Sequence, residues 1–143
     1  MSQIQSEFIS ELAMKIENWL KSPVAQHDPW AKYIKYTPNL LQLLVKLSAD
    51  KNVVQPNKAK FAVAISYFIS PLDMIPERFH GAHGFVDDIA LAAYVLVDVK
   101  PEYLKTYWEE EADILELTQN IVEDAEKMVG PKIWQRLKDL VEI

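Results

Sequence analysis

The chain has no cysteine, and only 3 glycines in 143 residues. Without a thiol there is no thiolate nucleophile, no redox pair and no Cys-ligated zinc or iron–sulfur site. Long hydrophobic runs are missing as well. The two most apolar stretches, 61–72 and 89–97, fall short of the roughly 20 residues a membrane-spanning helix needs. The N-terminus carries no basic segment followed by an apolar one, so no signal peptide is expected and the expected location is cytoplasmic. Positive charge is scarce too: Asp plus Glu is 21 against 15 for Lys plus Arg, giving a net charge of −6. Residues 1–100 carry 10 acids and 10 bases, whereas residues 101–143 carry 11 and 5, so the whole excess lies in the last third. A nucleic-acid partner needs clustered Lys and Arg to neutralise phosphates, and none are clustered here. Anionic lipid surfaces are disfavoured for the same reason.

What is present is an ordinary globular composition, 50% hydrophobic and 25% charged. A chain of this length buries roughly 70% of its unfolded surface and fits a single domain, 1–143. Prolines mark its segments. Asp28-Pro29, Thr37-Pro38, Gln55-Pro56, Lys100-Pro101 and Gly130-Pro131 each precede an apolar run of helical spacing, where a proline at the first position costs no hydrogen bond. Asp28 and Thr37 are suited to cap the helices that follow, and Ser2 with Gln5 fits a capping box. Gly130 suits the end of one helix just before Pro131 opens the next.

The apolar periods agree. Ile4, Phe8, Leu12, Ile16 and Trp19 or Leu20 recur every three or four residues; so do Leu40, Leu43, Leu44 and Leu47. Ile114, Leu117, Ile121, Ala125 and Met128 form a third stripe, and Ile133, Leu137 and Leu140 a fourth. These patterns predict helices near 3–21, 29–36, 38–49, 56–70, 87–99, 101–107, 111–129 and 131–142. The β-branched residues between 94 and 99 would suit a strand, but no second strand exists to pair with it. Residues 61–69 and 89–97 are apolar nearly all round, the mark of a helix buried on most sides. The fold expected is all-α: a single-domain helical bundle around a central, buried, antiparallel helix hairpin at about 56–99.

The connector of that hairpin, 71–88, holds the residues with chemistry: Asp73, His80, His83, Asp87 and Asp88. Tyr67, Pro71, Asp73, Ile75 and Pro76, then Gly84 and the Asp87-Asp88 pair, resemble the signature of the YkvA-like family of bacterial and archaeal proteins. The family pattern is an apolar helix ending in Tyr, then Pro-x-Asp-x-Ile-Pro, then Gly-x-x-Asp-Asp opening a second apolar helix. Lys60 matches a frequent lysine of the pattern, and the similarity covers about 55–98, continuing through Pro101-Glu102, Trp108, Asp113 and Gly130. The connector departs from it, being polar over 77–83 and one residue longer. The resemblance implies an all-helical fold and a domain of unknown function; some members are membrane-associated, and it supplies no activity.

If the hairpin is antiparallel, Asp73, Asp87 and Asp88 can converge, and three carboxylates can hold Mg2+ or Ca2+. His80 and His83, three residues apart, would shift the choice of divalent cation toward zinc or manganese. Against this, Asp87 suits the N-cap of the second helix, Asp88 its first turn, and Asp73 an Asx-turn. Glu109, Glu110, Glu111 and Asp113 read as a negatively charged first helical turn, and Trp19, Trp30, Trp108 and Trp134 as fillers between helices. No G-x-S-x-G elbow, H-E-x-x-H pair or P-loop occurs. The expected role is therefore a non-enzymatic binding or interaction module presenting the 71–88 connector to a protein partner. The alternatives are a divalent-metal-dependent activity at Asp73, Asp87 and Asp88, and a membrane-associated protein using the apolar hairpin.

Overall fold

A computed structural model describes residues 2–69 and 85–142. Nine helices are defined among them, with no strand: α1 (Gln3–Leu20), α2 (Pro23–Gln26), α3 (Ala31–Ile34), α4 (Thr37–Ala49), α5 (Gln55–Ile69), α6 (Val86–Leu96), α7 (Pro101–Tyr107), α8 (Ile114–Val129) and α9 (Pro131–Val141). The all-α bundle expected from the periods is what forms.

Several helix ends follow the sequence rules. Ser2 and Gln5 close a reciprocal capping box on α1: Gln5 N–H donates to Ser2 Oγ at 3.1 Å, and Ser2 N–H to Gln5 Oε1 at 3.0 Å. Asp113 Oδ1 accepts from the N–H groups of Leu115 and Glu116 and starts α8. Gly130 ends α8 and begins α9 at φ 89°, ψ 152°, a conformation open to glycine and little else. Its N–H donates to the Glu126 carbonyl at 2.8 Å, and Pro131 follows as the first residue of α9.

Other ends differ from expectation. Pro29 precedes α3 rather than opening it, because Asp28 Oδ1 takes the Trp30 N–H at 2.8 Å and turns the chain there. Thr37 is not a cap; its hydroxyl donates back to the Ile34 carbonyl at 2.6 Å. α2, absent from the sequence expectation, is one turn that Ser22 caps and Pro23 opens. Glu109, Glu110 and Glu111 lie before α8 rather than in its first turn, where Glu109 reaches Lys46 and Glu110 reaches Asn39. α6 ends at Leu96, three residues before the expected limit.

One connected apolar core runs from Leu12 on α1 to Val141 on α9. Its centre is α6, which packs on α3, α4, α5, α8 and α9. Ten residues of α6 are buried, Asp87 and Asp88 included. Ala90, Ala92 and Ala93, fully enclosed, let its neighbours approach closely. Its hairpin partner is not equally central. α5 buries only Phe61, Ala64 and Phe68, while Ala59, Ala62, Ser66 and Ile69 face outward. An apolar circumference allows burial on all sides but does not compel it, and the available neighbours enclose α6 first.

Candidate functional site

The hairpin is antiparallel, and its register can be read from two polar ties. At one end the Tyr67 hydroxyl, in the last turn of α5, donates to Asp87 Oδ2 at 3.1 Å, in the first turn of α6. At the other end Lys60 and Tyr94 converge on Glu142, just after α9: Lys60 Nζ lies 3.9 Å from Oε1, and the Tyr94 hydroxyl donates to it at 2.7 Å. Seven residues separate Lys60 from Tyr67 and Asp87 from Tyr94, so equal two-turn spans face each other.

Asp87 is not the N-cap of α6. The helix begins at Val86, Phe85 occupies the cap position without a side-chain cap bond, and Asp87 is the second helical residue. Its Oδ1 accepts the N–H of Asp88 at 3.0 Å, while Oδ2 serves Tyr67. Both carboxylates stand in the first turn, where the helix dipole favours negative charge. They are nonetheless fully enclosed, each at 0% exposure. Enclosing a carboxylate costs several kcal/mol unless hydrogen bonds and charges repay it. At the cap position of α6, the centre of the buried Phe85 ring has the Lys15 ammonium of α1 5.7 Å away.

The structure thus brings Tyr67, Asp87 and Asp88 together. Asp73, His80 and His83 lie outside the described residues, and among the described residues no three His, Asp or Glu side chains are grouped to hold a metal ion. Tyr67 entered the sequence analysis only as part of a motif; nothing in its spacing foretold that it would donate to Asp87. Glu142 was missed altogether, since a lone glutamate after an amphipathic helix reads as solvated. Burial and the Glu142 carboxylate push the Tyr94 phenol up to about 12.

The matches with known proteins fall on this same segment. Residues 57–94 match a family model described as a protein of unknown function (DUF1232). Over these residues the hairpin is similar to that family. The YkvA-like resemblance is consistent with it. The DUF1232 segment runs from the first turn of α5 to Tyr94 and contains both members of each facing pair, leaving only Glu142 outside. Over 103 residues the chain is 29% identical to an uncharacterized protein, ORF9, of Methanothermobacter thermautotrophicus, covering 69% of this chain and 70% of that one. That similarity is too long to be confined to the hairpin and takes in part of the surrounding bundle. No solved structure matches the chain.

Proposed function

We propose that the chain is a single-domain, non-catalytic binding module of the cytoplasm that offers the 71–88 connector to a protein partner. The observation that supports this is the bond from half-buried Tyr67 to the fully enclosed Asp87, with enclosed Asp88 beside it, at the end of the hairpin where the connector leaves α5 and rejoins α6. A polar anchor there fixes the register of the two helices on either side of the connector. Charge favours a protein over nucleic acid or anionic lipid, and among the described residues no helix is long and apolar enough to cross a membrane.

A second reading draws on the adjacency and full burial of Asp87 and Asp88: with Asp73 they would hold a divalent cation, and His80 or His83 would add imidazole ligands. Thermal melts of the wild type, Tyr67→Phe, Asp87→Asn and Asp87→Ala, in EDTA and in millimolar Mg2+, Mn2+ or Zn2+, separate the two. For an anchor, Tyr67→Phe should cost about 0.5–1.5 kcal/mol and Asp87→Ala about 1–3 kcal/mol, with no cation changing either. A wild-type melting temperature raised by one cation, with the gain lost in Asp87→Asn, would establish the cation reading instead. The binding role itself is checked by affinity capture. A protein held by the wild type should be released by Arg78→Ala with His80→Ala, and undiminished capture would sink the connector as the presented surface.

A further inference from the structure

The apolar stripe of α1 outruns the bundle. Leu12 and Ile16 are buried, but Ile4 is 80% exposed and Phe8 37% exposed on the same side of the helix. Gln5, three residues before Phe8, lines an open groove of about 530 Å³ together with Val45, Lys46, Ser48 and Ala49 of α4 and Tyr107 of α7. Phe8, three residues from Gln5, and Ile4, four from Phe8, extend the strip from the groove along α1, since positions three and four apart are neighbours on a helix surface. Lys15, at the hairpin end, is ten residues or about 15 Å along α1 from Gln5, so the strip is separate from the Tyr67–Asp87 group.

Its border is acidic. Glu109 sits on Lys46 at 2.7 Å and neutralises it; the Tyr107 hydroxyl donates to Asp50 at 2.7 Å; Glu110 holds Asn39. Glu7 and Glu11 stand exposed on α1 beside Phe8. A second copy of the chain would bring this acidic border against itself, and anionic lipid or nucleic acid would be repelled. An apolar floor with a negative rim suits one occupant. We infer that the strip is a docking groove for a basic amphipathic helix of a partner protein, apolar residues on Ile4, Phe8 and Val45 and lysines or arginines against Glu7, Glu11 and Asp50.

The test uses the full chain and two model peptides, amphipathic helices of Leu and Lys and of Leu and Glu, followed by fluorescence anisotropy and by amide chemical shifts. The Leu/Lys peptide should bind at 0.15 M salt and shift Gln5, Val45, Ser48 and Ala49, while the Leu/Glu peptide should not bind. Ile4→Ser and Phe8→Ser should each weaken binding about tenfold, and Glu11→Gln several-fold. Glu126→Gln, an exposed acid on α8, should change nothing. Ile4 is too exposed for its loss to threaten folding. Equal binding of both peptides, shifts spread over α8 and α9, or indifference to Ile4→Ser and Phe8→Ser would overturn the inference. So would a dimer in sedimentation that Phe8→Ser converts to monomer, because the occupant would then be a second copy.

Discussion

Among the described residues, four tyrosine hydroxyls donate to carboxylates: Tyr33 to Asp124, Tyr67 to Asp87, Tyr94 to Glu142 and Tyr107 to Asp50. Each joins segments at least 20 residues apart, so these phenols tie the bundle across long loops. A phenol that donates to a carboxylate resists ionisation. Tyr33 and Tyr94 are both pushed up to about 12, first by burial and then by the bond to the acid. Asp50, conversely, is held below its usual value, chiefly by the Tyr107 hydroxyl and then by the Asn52 N–H. For Tyr33 and Tyr94 the stabilisation is complete below the unfolded value near 10 and is lost as pH rises through about 12. Absorbance at 295 nm, followed while circular dichroism reports the folded form, should therefore show late-ionising tyrosines, Tyr33 and Tyr94 among them. Tyr33→Phe and Tyr94→Phe should each remove one of them. A single transition near pH 10 for all 6 tyrosines would contradict the assignment.

At the scale of the helix, α5 and α6 share a composition but not an environment. α6 holds Ala90 at 0% exposure against five neighbouring helices, whereas Ala62 of α5 faces outward. Ala90→Leu should thus cost about 1–3 kcal/mol through overpacking, and Ala62→Leu should stay within about 0.5 kcal/mol. Denaturant midpoints of the two variants measure the difference; equal losses would mean that α5 is as enclosed as α6. Elements with strong local signals were legible in the sequence. The Ser2–Gln5 box, the stripes of α4 and α8 and the Gly130-Pro131 junction all formed where spacing and capping chemistry placed them. The errors arose where tertiary partners decide. Whether Ile4 and Phe8 of α1 or the outer side of α5 become covered depends on which helices lie opposite, and period alone carries no such information. Asp87 was displaced from its expected cap position because the helix starts two residues earlier than that cap requires, at Val86 with Phe85 before it. Of the expected cluster, Asp87 and Asp88 were recognised as a pair; the tie of Asp87 to Tyr67 is a contact across 20 residues that no local rule supplies.

Across the whole molecule, the bundle is organised radially, with one helix inside and the others around it. The all-helical class follows from periods near 3.6 and the want of any second strand, so it was the most readable property of all. The arrangement also has a consequence in time. Amides at the periphery can reach water by local opening: the first two turns of α1 need only fray, since no described residue before Leu12 is buried. The amides of α6 have no such route, because exposing any of them means parting α3, α4, α5, α8 and α9 together. Hydrogen–deuterium exchange should therefore rank α6 slowest, with an opening free energy equal to that of global unfolding measured by denaturant. Faster exchange in α6 than in α4 or α8 would show that the bundle can part around it. The innermost helix serves as the molecule's clock: its deuterium uptake records how often the whole chain unfolds.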